Sequence, residues 1–311
     1  MISVRYHAIS IAAVFLALAV GIVLGSTAIS GYLLSGLSQD KKSLGKQVDD
    51  LEAQHNELSA RLANADSYAA IAGPLAIRGA LDQRTVALIS TADAEPVDTE
   101  AIGYLLRSAG ATVTASIQLT DTFTDPVRGD RLKGIVTRLQ PAGVQLPSAT
   151  DPGTLAGGLV GGLIQLNKDG KPQANENEAA AALRSLADGG YIKSGYQAKP
   201  AQLAVVLTGG ASQGEQAGDR AAIIARFAAQ LDRTGGGAVL VGRKGSADGA
   251  GPVGVARADS SIVSVLSTVD NGDTAAGRSV VILALREQLE GQSGRYGIAG
   301  NAQGPAPAAR S

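Results

Sequence analysis

The sequence predicts an α/β protein: a single N-terminal transmembrane helix and a coiled coil, followed by a mostly parallel α/β domain. Three observations carry this reading. An uncharged apolar run covers Ile9–Ile29. A heptad repeat follows it, from Leu37 to Ala65. Beyond that, short apolar strand-like runs alternate with amphipathic helical ones, the pattern of βαβ units.

No Asp, Glu, Lys or Arg occurs between Arg5 and Asp40. Roughly 20 apolar residues in a helix cross the hydrocarbon core of a bilayer, and Ile9–Ile29 supplies them. Gly21 and Gly25 have the small-xxx-small spacing that lets two membrane helices approach closely. Glycines tolerated in lipid without any contact read equally well. Ser26-Thr27-Ala28 resembles a small-residue cleavage site, but the apolar stretch is longer than a signal peptide uses. The span is therefore expected to stay as an anchor. Arg5 lies before it, and Lys41 and Lys42 lie after it, so positive charge alone does not orient it. A short tail before the span and a large body after it fit a cytoplasmic N-terminus and an extracytoplasmic body. The chain has no cysteine, which excludes disulfides and thiolate metal sites.

The repeat places Lys41, Val48, His55 and Leu62 at a, and Leu37, Leu44, Leu51, Leu58 and Ala65 at d. Leucine at four of five d positions marks a coiled-coil seam. Lys42, Lys46, Asp50, Glu57 and Arg61 solvate the outer faces. Val48 is the one β-branched a residue, so a dimer is preferred over a higher oligomer. Lys41 and His55 are polar a residues, which set register at a cost in stability. A pH sensor or metal ligand is the sharper reading of His55, but two facing histidines make a poor metal site.

The body begins after Gly73-Pro74, which is expected to end the coiled coil. Thr85–Ser90 reads as a strand. Asp98 or Thr99 can cap a helix whose apolar face is Ile102, Leu105, Leu106 and Ala109. Ala111–Leu119 alternates as a second strand. Asp130–Leu139, Leu155–Leu166 and Glu176–Leu186 read as helices. Leu203–Thr208 and Ala238–Gly242 are near-continuous apolar strands of the kind buried on both faces. Gly218–Arg233 between them has helical spacing. Ser261–Leu266 reads as a further strand, and Thr274–Glu290 as a helix stopped by Gly291. The tail from Gly291 is rich in Gly, Ala and Pro and is expected to be disordered. The expected segments are thus 1–30 for tail and anchor, 31–70 for the parallel coiled coil, 71–290 for the extracytoplasmic domain and 291–311 for the tail.

The formal net charge is −1 and aromatics make up 3% of the chain, which fits neither the basic face nor the stacking rings of a nucleic-acid binder. The only histidines are His7 and His55, so no Ser–His–Asp set can form in the body. No catalytic residue, resident metal site or cofactor is predicted, and the chain reads as a non-enzyme. Gly209–Gly214 follows a strand and precedes a helix, where phosphate loops sit. It lacks the Walker Lys and the G-x-G-x-x-G pattern, so it reads as a connecting loop. Asp270, Asn271 and Asp273 follow one strand, and Asp93 follows the first. In a parallel sheet both loops emerge on the carboxyl edge, where α/β folds place ligand sites. A hard cation or a polar ligand suits them; ordinary turn and cap chemistry competes. The paired glycines of Leu155–Leu166 permit close packing of a buried helix, with a re-entrant segment as the alternative. Ten-residue strand alternation of the kind a transmembrane barrel carries does not recur along the chain.

The opening Met1-Ile2-Ser3-Val4-Arg5-Tyr6-His7, the span ending Gly21-Ile22-Val23-Leu24-Gly25, the heptads, and the stretch from Asp270-Asn271-Gly272-Asp273 to Arg295-Tyr296-Gly297 resemble the MctB family of actinobacterial envelope proteins. The resemblance covers nearly the whole chain and supplies no ligand residue. It implies copper transport, with copper as the transported ion, association with the outer membrane, and channel activity. Through corynebacterial relatives it implies instead a role in cell division and activation of a peptidoglycan hydrolase. The implied partners are a second copy of the chain, the membrane, and an envelope or peptidoglycan-hydrolase protein. Copper(I) prefers thiolates and thioethers, and this chain has no Cys and one Met.

Overall fold

A computed structural model describes residues 4–193, 198–211 and 213–308, with the side chains of 26–38 outside the described residues. The chain divides into two units, Met1–Ala65 and Asp66–Ser311. Helix α1, Val4–Ala76, supplies the described part of the first unit. Val4–Gly25 within it is long and apolar enough to cross a membrane, and none of it is buried. The stretch Ser26–Ile29 of the expected span has side chains outside the described residues. The stop expected at Gly73-Pro74 falls instead at Ala76. Pro74 sits in the last turn, where its missing N–H removes one bond and the next turn is not needed.

The second unit contains β1 Thr85–Ser90, α2 Pro96–Ser108, β2 Thr112–Gln118, α3 Asp121–Thr124 and α4 Gly129–Arg138. These are followed by α5 Pro152–Ile164, α6 Glu176–Asp188, β3 Leu203–Leu207, α7 Ala217–Thr234 and β4 Ala238–Val241. The last elements are α8 Pro252–Ala258, α9 Ser260–Val263, β5 Ser267–Val269, α10 Ala275–Leu289 and β6 Arg295–Tyr296. The strands form one six-stranded sheet in the order β2-β1-β3-β4-β5-β6, and every pair is parallel. The predicted fold class is the observed one. The strand order reverses at β1, which lies between β2 and β3.

Because strand side chains alternate between faces, the sheet separates two cores. Ala87, Ile89, Ala204, Val206, Ala238 and Leu240 pack with α5 and α7 residues such as Leu159 and Phe227. Val86, Leu88, Leu203, Val205, Val239 and Val241 pack with α2 and α10 residues such as Ile102 and Val281. Ile77 and Leu81, just past α1, are fully buried in the second core. Burial on both faces is the reason these strands read as unbroken apolar runs rather than as alternation.

Helix α5 is capped by Asp151, whose side chain accepts from the Thr154 N–H at 2.8 Å, and Pro152 follows at the first helical position. Its glycines are contact surfaces. A Cβ on Gly153 would lie 2.4 Å from the Ile223 carbonyl oxygen, and one on Gly157 would lie 2.7 Å from that of Phe227. A Cβ on Gly161 would instead meet the Thr234 side chain, 2.9 Å from its Cγ2, while Gly158 and Gly162 face Pro147 and Val144. Gly153 and Gly157 let α5 lie directly on the α7 backbone, and Gly161 leaves room for the Thr234 side chain. This is a buried helix of the body, which removes the need for a re-entrant segment.

Two expectations change. Ser261–Leu266 is not a strand. Asp259 accepts from the Ser261 N–H at 2.9 Å and starts the short helix α9, and β5 lies just beyond it. An Asp cap before Ser-Ser outweighs the β-branched run that follows. The disorder expected from Gly291 is not found over 291–308. Thr268 and Val269 pair with Arg295 and Tyr296, and Tyr296 is 1% exposed. Average composition concealed one buried aromatic; residues 309–311 lie outside the described residues.

Gly157→Ala is expected to lower stability by about 1–3 kcal/mol through overpacking, measured by urea unfolding. Gly134 is exposed in α4 with nothing within 4 Å of a Cβ. Gly134→Ala is expected to gain roughly 0.5–1 kcal/mol from helix propensity in the same assay.

Candidate functional site

Three places carry the predicted site residues. The first is the heptad stripe of α1. Leu44, Val48, Leu51, Leu58 and Leu62 are 52–71% exposed, and Lys41 and His55 are exposed beside them. The side chain of Leu37 lies outside the described residues. An exposed Arg61–Glu57 pair at 2.6 Å flanks the stripe and adds little in water. A large apolar stripe of this kind on a surface marks an interaction site.

The second is the carboxyl edge where β1 and β3 adjoin. The Thr91 N–H donates to the Leu207 carbonyl at 2.9 Å. The Thr91 hydroxyl makes a short hydrogen bond to Asp93. Gly209 packs onto Asp93, since a Cβ there would lie 2.7 Å from the Asp93 carbonyl oxygen. Gly210 lies equally close to the Lys244 carbonyl, and the Arg243 N–H donates to the Gly209 carbonyl at 3.1 Å. The glycines after β3 therefore let two loops close over the crevice. Ser212 of this loop lies outside the described residues. Asp273 accepts from the Lys244 N–H at 3.2 Å, so Asp93 and Asp273 bracket the loops after β3 and β4.

A charged cluster that sequence reasoning missed sits on this edge. Asp98 does not cap α2: Glu95 holds the cap position without a side-chain bond, Pro96 starts the helix, and Asp98 is buried in its first turn. Arg243 Nε lies 3.1 Å from Asp98 and Arg278 Nη2 lies 3.5 Å away. Both are within ion-pair reach, yet neither Asp98 oxygen has hydrogen-bond geometry. Burial raises the Asp98 pKa above its ordinary value, while Arg243 and Arg278 pull it down. These residues are far apart in the chain, so no spacing rule could find them.

The third place holds Asp270, at the end of β5. It pairs with Arg257 of α8 at 2.6 Å, and the two side chains are 1% and 2% exposed. Arg257 also donates to Thr268 Oγ1 at 3.0 Å, to the Tyr296 carbonyl at 2.7 Å and to Asn301 Oδ1 at 2.7 Å. Asp270 in turn accepts from the Ile298 N–H at 2.8 Å. Burial lowers the Arg257 pKa, and Asp270 pushes it back up. This network fastens the C-terminal segment to the sheet. Asn271 lies in the turn beside it, where its Nδ2 donates to Thr274 Oγ1 at 3.3 Å. Thr274 then caps α10 through the Gly277 N–H at 3.0 Å. Asp66 of α1 takes the neighbouring Ala275 N–H at 2.7 Å. Among the described residues, no three His, Cys, Asp or Glu side chains are grouped so as to hold a metal ion.

A helix apolar enough to cross a membrane, an exposed heptad stripe and a parallel α/β body define a membrane-anchored protein. The family described as "Copper transport outer membrane protein, MctB" matches residues 1–307. The chain is 39% identical over 305 residues to the Copper transporter MctB of Mycobacterium tuberculosis (strain ATCC 25618 / H37Rv), covering 96% of each chain. It is 37% identical over 309 residues to the Copper transporter MctB of Mycobacterium leprae (strain TN), again covering 96% of each. The chain belongs to the MctB family.

Arg257→Met leaves Asp270 buried without its countercharge and is expected to cost about 3–5 kcal/mol, measured by chemical denaturation. Limited proteolysis of that variant is expected to cut first within 291–308.

Proposed function

We propose that the chain is a non-enzymatic envelope component that serves copper efflux across the cell envelope and works as an assembly of copies. The observation that carries this is the family match over residues 1–307, joined by relatives named copper transporters. Physical chemistry limits how such a chain handles copper. Copper(I) favours thiolates and thioethers, and the sequence offers no Cys and one Met. Copper is therefore cargo with no thiolate site on the body, and its path runs between chains or through a partner. The heptad stripe is the part suited to join copies, because leucine d positions pack knobs into holes only against another helix. The six strands pair in parallel, whereas a transmembrane barrel needs a closed antiparallel sheet. The apolar helix is what seats the chain in a membrane, with its short tail in the cytoplasm and the body outside.

A second reading rests on the same stripe: a coiled-coil scaffold that recruits a peptidoglycan hydrolase and regulates division. The scarcity of copper donors favours it.

Deleting the gene is expected to raise cellular copper, read by elemental mass spectrometry, with only the intact chain restoring it. Leu51→Pro breaks the helix interior at about 3 kcal/mol or more; it is expected to abolish self-association in sedimentation and to fail in rescue. Normal copper with defective septation in the deletion strain would replace the transport reading with the scaffold. His55→Leu is expected to raise the melting temperature of the assembly, because an apolar residue replaces a polar one in the seam.

A further inference from the structure

A concave space lies at the edge of the sheet opposite its carboxyl edge. A cleft of about 470 Å³ is formed where the chain enters β1, β3, β4, β5 and β6, within the size range of small-molecule sites. Its wall includes Arg84, Lys168, Gln202, Asp232 and the run Gly235-Gly236-Gly237. A Cβ on Gly235 would lie 2.4 Å from Gln165 Nε2, and one on Gly236 would lie 3.0 Å from the Gln202 carbonyl oxygen, so the chain passes close to its neighbours here. Gly237 has φ +137, which a side chain rarely adopts, and a Cβ there would lie 2.7 Å from Gln288 Cβ.

Lys168 lies near enough to Asp232 for its charge to pull the Asp232 pKa down. Neither Arg84 nor Lys168 makes an ion pair or a side-chain hydrogen bond among the described residues. One Asp232 oxygen accepts from the Ala238 N–H at 2.8 Å, and its side chain makes no other hydrogen bond among the described residues. Asp232 lies in the last turn of α7, and α10 ends at Leu289 on the same cleft. The C-terminal ends of helices carry partial negative charge, so this side of the cleft favours a cation while Arg84 and Lys168 favour an anion. Gln165 is fully buried behind Gly235, and neither polar atom of its side chain has a partner. Gln202 Oε1 is buried without a partner as well.

We propose that this cleft binds a small zwitterion of the amino acid or short-peptide class. Its ammonium group sits by Asp232 and the ends of α7 and α10, and its carboxylate sits by Lys168 and Arg84. This site shares no residue with the heptad stripe.

Asp232 reports on the site. Burial pushes its pKa up to about 6, against the Ala238 N–H and the charges of Lys168 and Arg233, which pull it down. A raised carboxyl pKa means the folded state holds the proton more tightly, so that stabilisation is complete below about pH 4 and is lost as pH rises through about 6. Asp232→Asn keeps an acceptor for Ala238. It is expected to raise the melting temperature at pH 7, with the gain fading toward pH 4. The variant therefore tests binding in a chain that is folded.

The experiment is calorimetric titration of the full-length protein in detergent with glycylglycine, N-acetyl-glycylglycine, glycylglycine amide and inorganic phosphate. Glycylglycine is expected to bind, and blocking either end is expected to weaken binding about tenfold or more. Asp232→Asn is expected to bind the free and N-acetylated peptides equally, and Lys168→Ala to bind the free peptide and its amide equally. Absence of saturable binding by glycylglycine overturns the proposal. So does equal binding of the blocked peptides to the unmodified protein, or tighter binding of phosphate.

Discussion

Strands β3 and β4 meet water on neither face, and that constraint organises everything after residue 80. Each face must be covered along its whole length, because an exposed apolar strand surface of this size would be unstable in water. Helices α2 and α10, with Ile77 and Leu81, cover one side; α5 and α7 cover the other. The covering helices must then sit close. The stripe of Gly153, Gly157 and Gly161 exists for this reason, since a side chain there would meet the α7 backbone at the first two and the Thr234 side chain at the third. A segment that looks membrane-like by composition is thereby explained by packing between the sheet and α7.

The same sheet sets where charge lies. Parallel strands gather their exit loops on one edge and their entry loops on the other. On the exit edge the loops close on one another and bury polar groups: Asp98 between Arg243 and Arg278, and Asp270 against Arg257. A buried ion pair adds little net stability compared with apolar packing, but one partner without the other is costly. The Arg257 network therefore acts as a fastening for β6 and the segment after it. On the entry edge, Arg84, Lys168 and Asp232 line a cleft.

The anchor and heptads place the body at a membrane, while the body itself offers little soft-metal chemistry. Membership of the MctB family and the donor content of the chain are reconciled if copper is moved by an assembly rather than held by one chain. An exposed leucine stripe is costly in water.

Much was legible from sequence alone. Uncharged apolar composition found the membrane run, periodicity found the helical character of the heptad segment and of α7, and the charged end and following glycine marked α10. Apolar runs found β1, β3 and β4, since burial on both faces leaves its mark at every position. Asp93, Asp270, Asn271 and Asp273 could be assigned to a carboxyl edge, because a parallel sheet has only two. Tertiary structure alone decided what each of them touches. It turned Ser261–Leu266 into a cap and helix, drew Tyr296 into a tail that composition called disordered, and joined Asp98 to Arg243 and Arg278 across well over a hundred residues. Those outcomes depend on contacts between distant segments, and local spacing carries no record of which distant group will supply the matching charge.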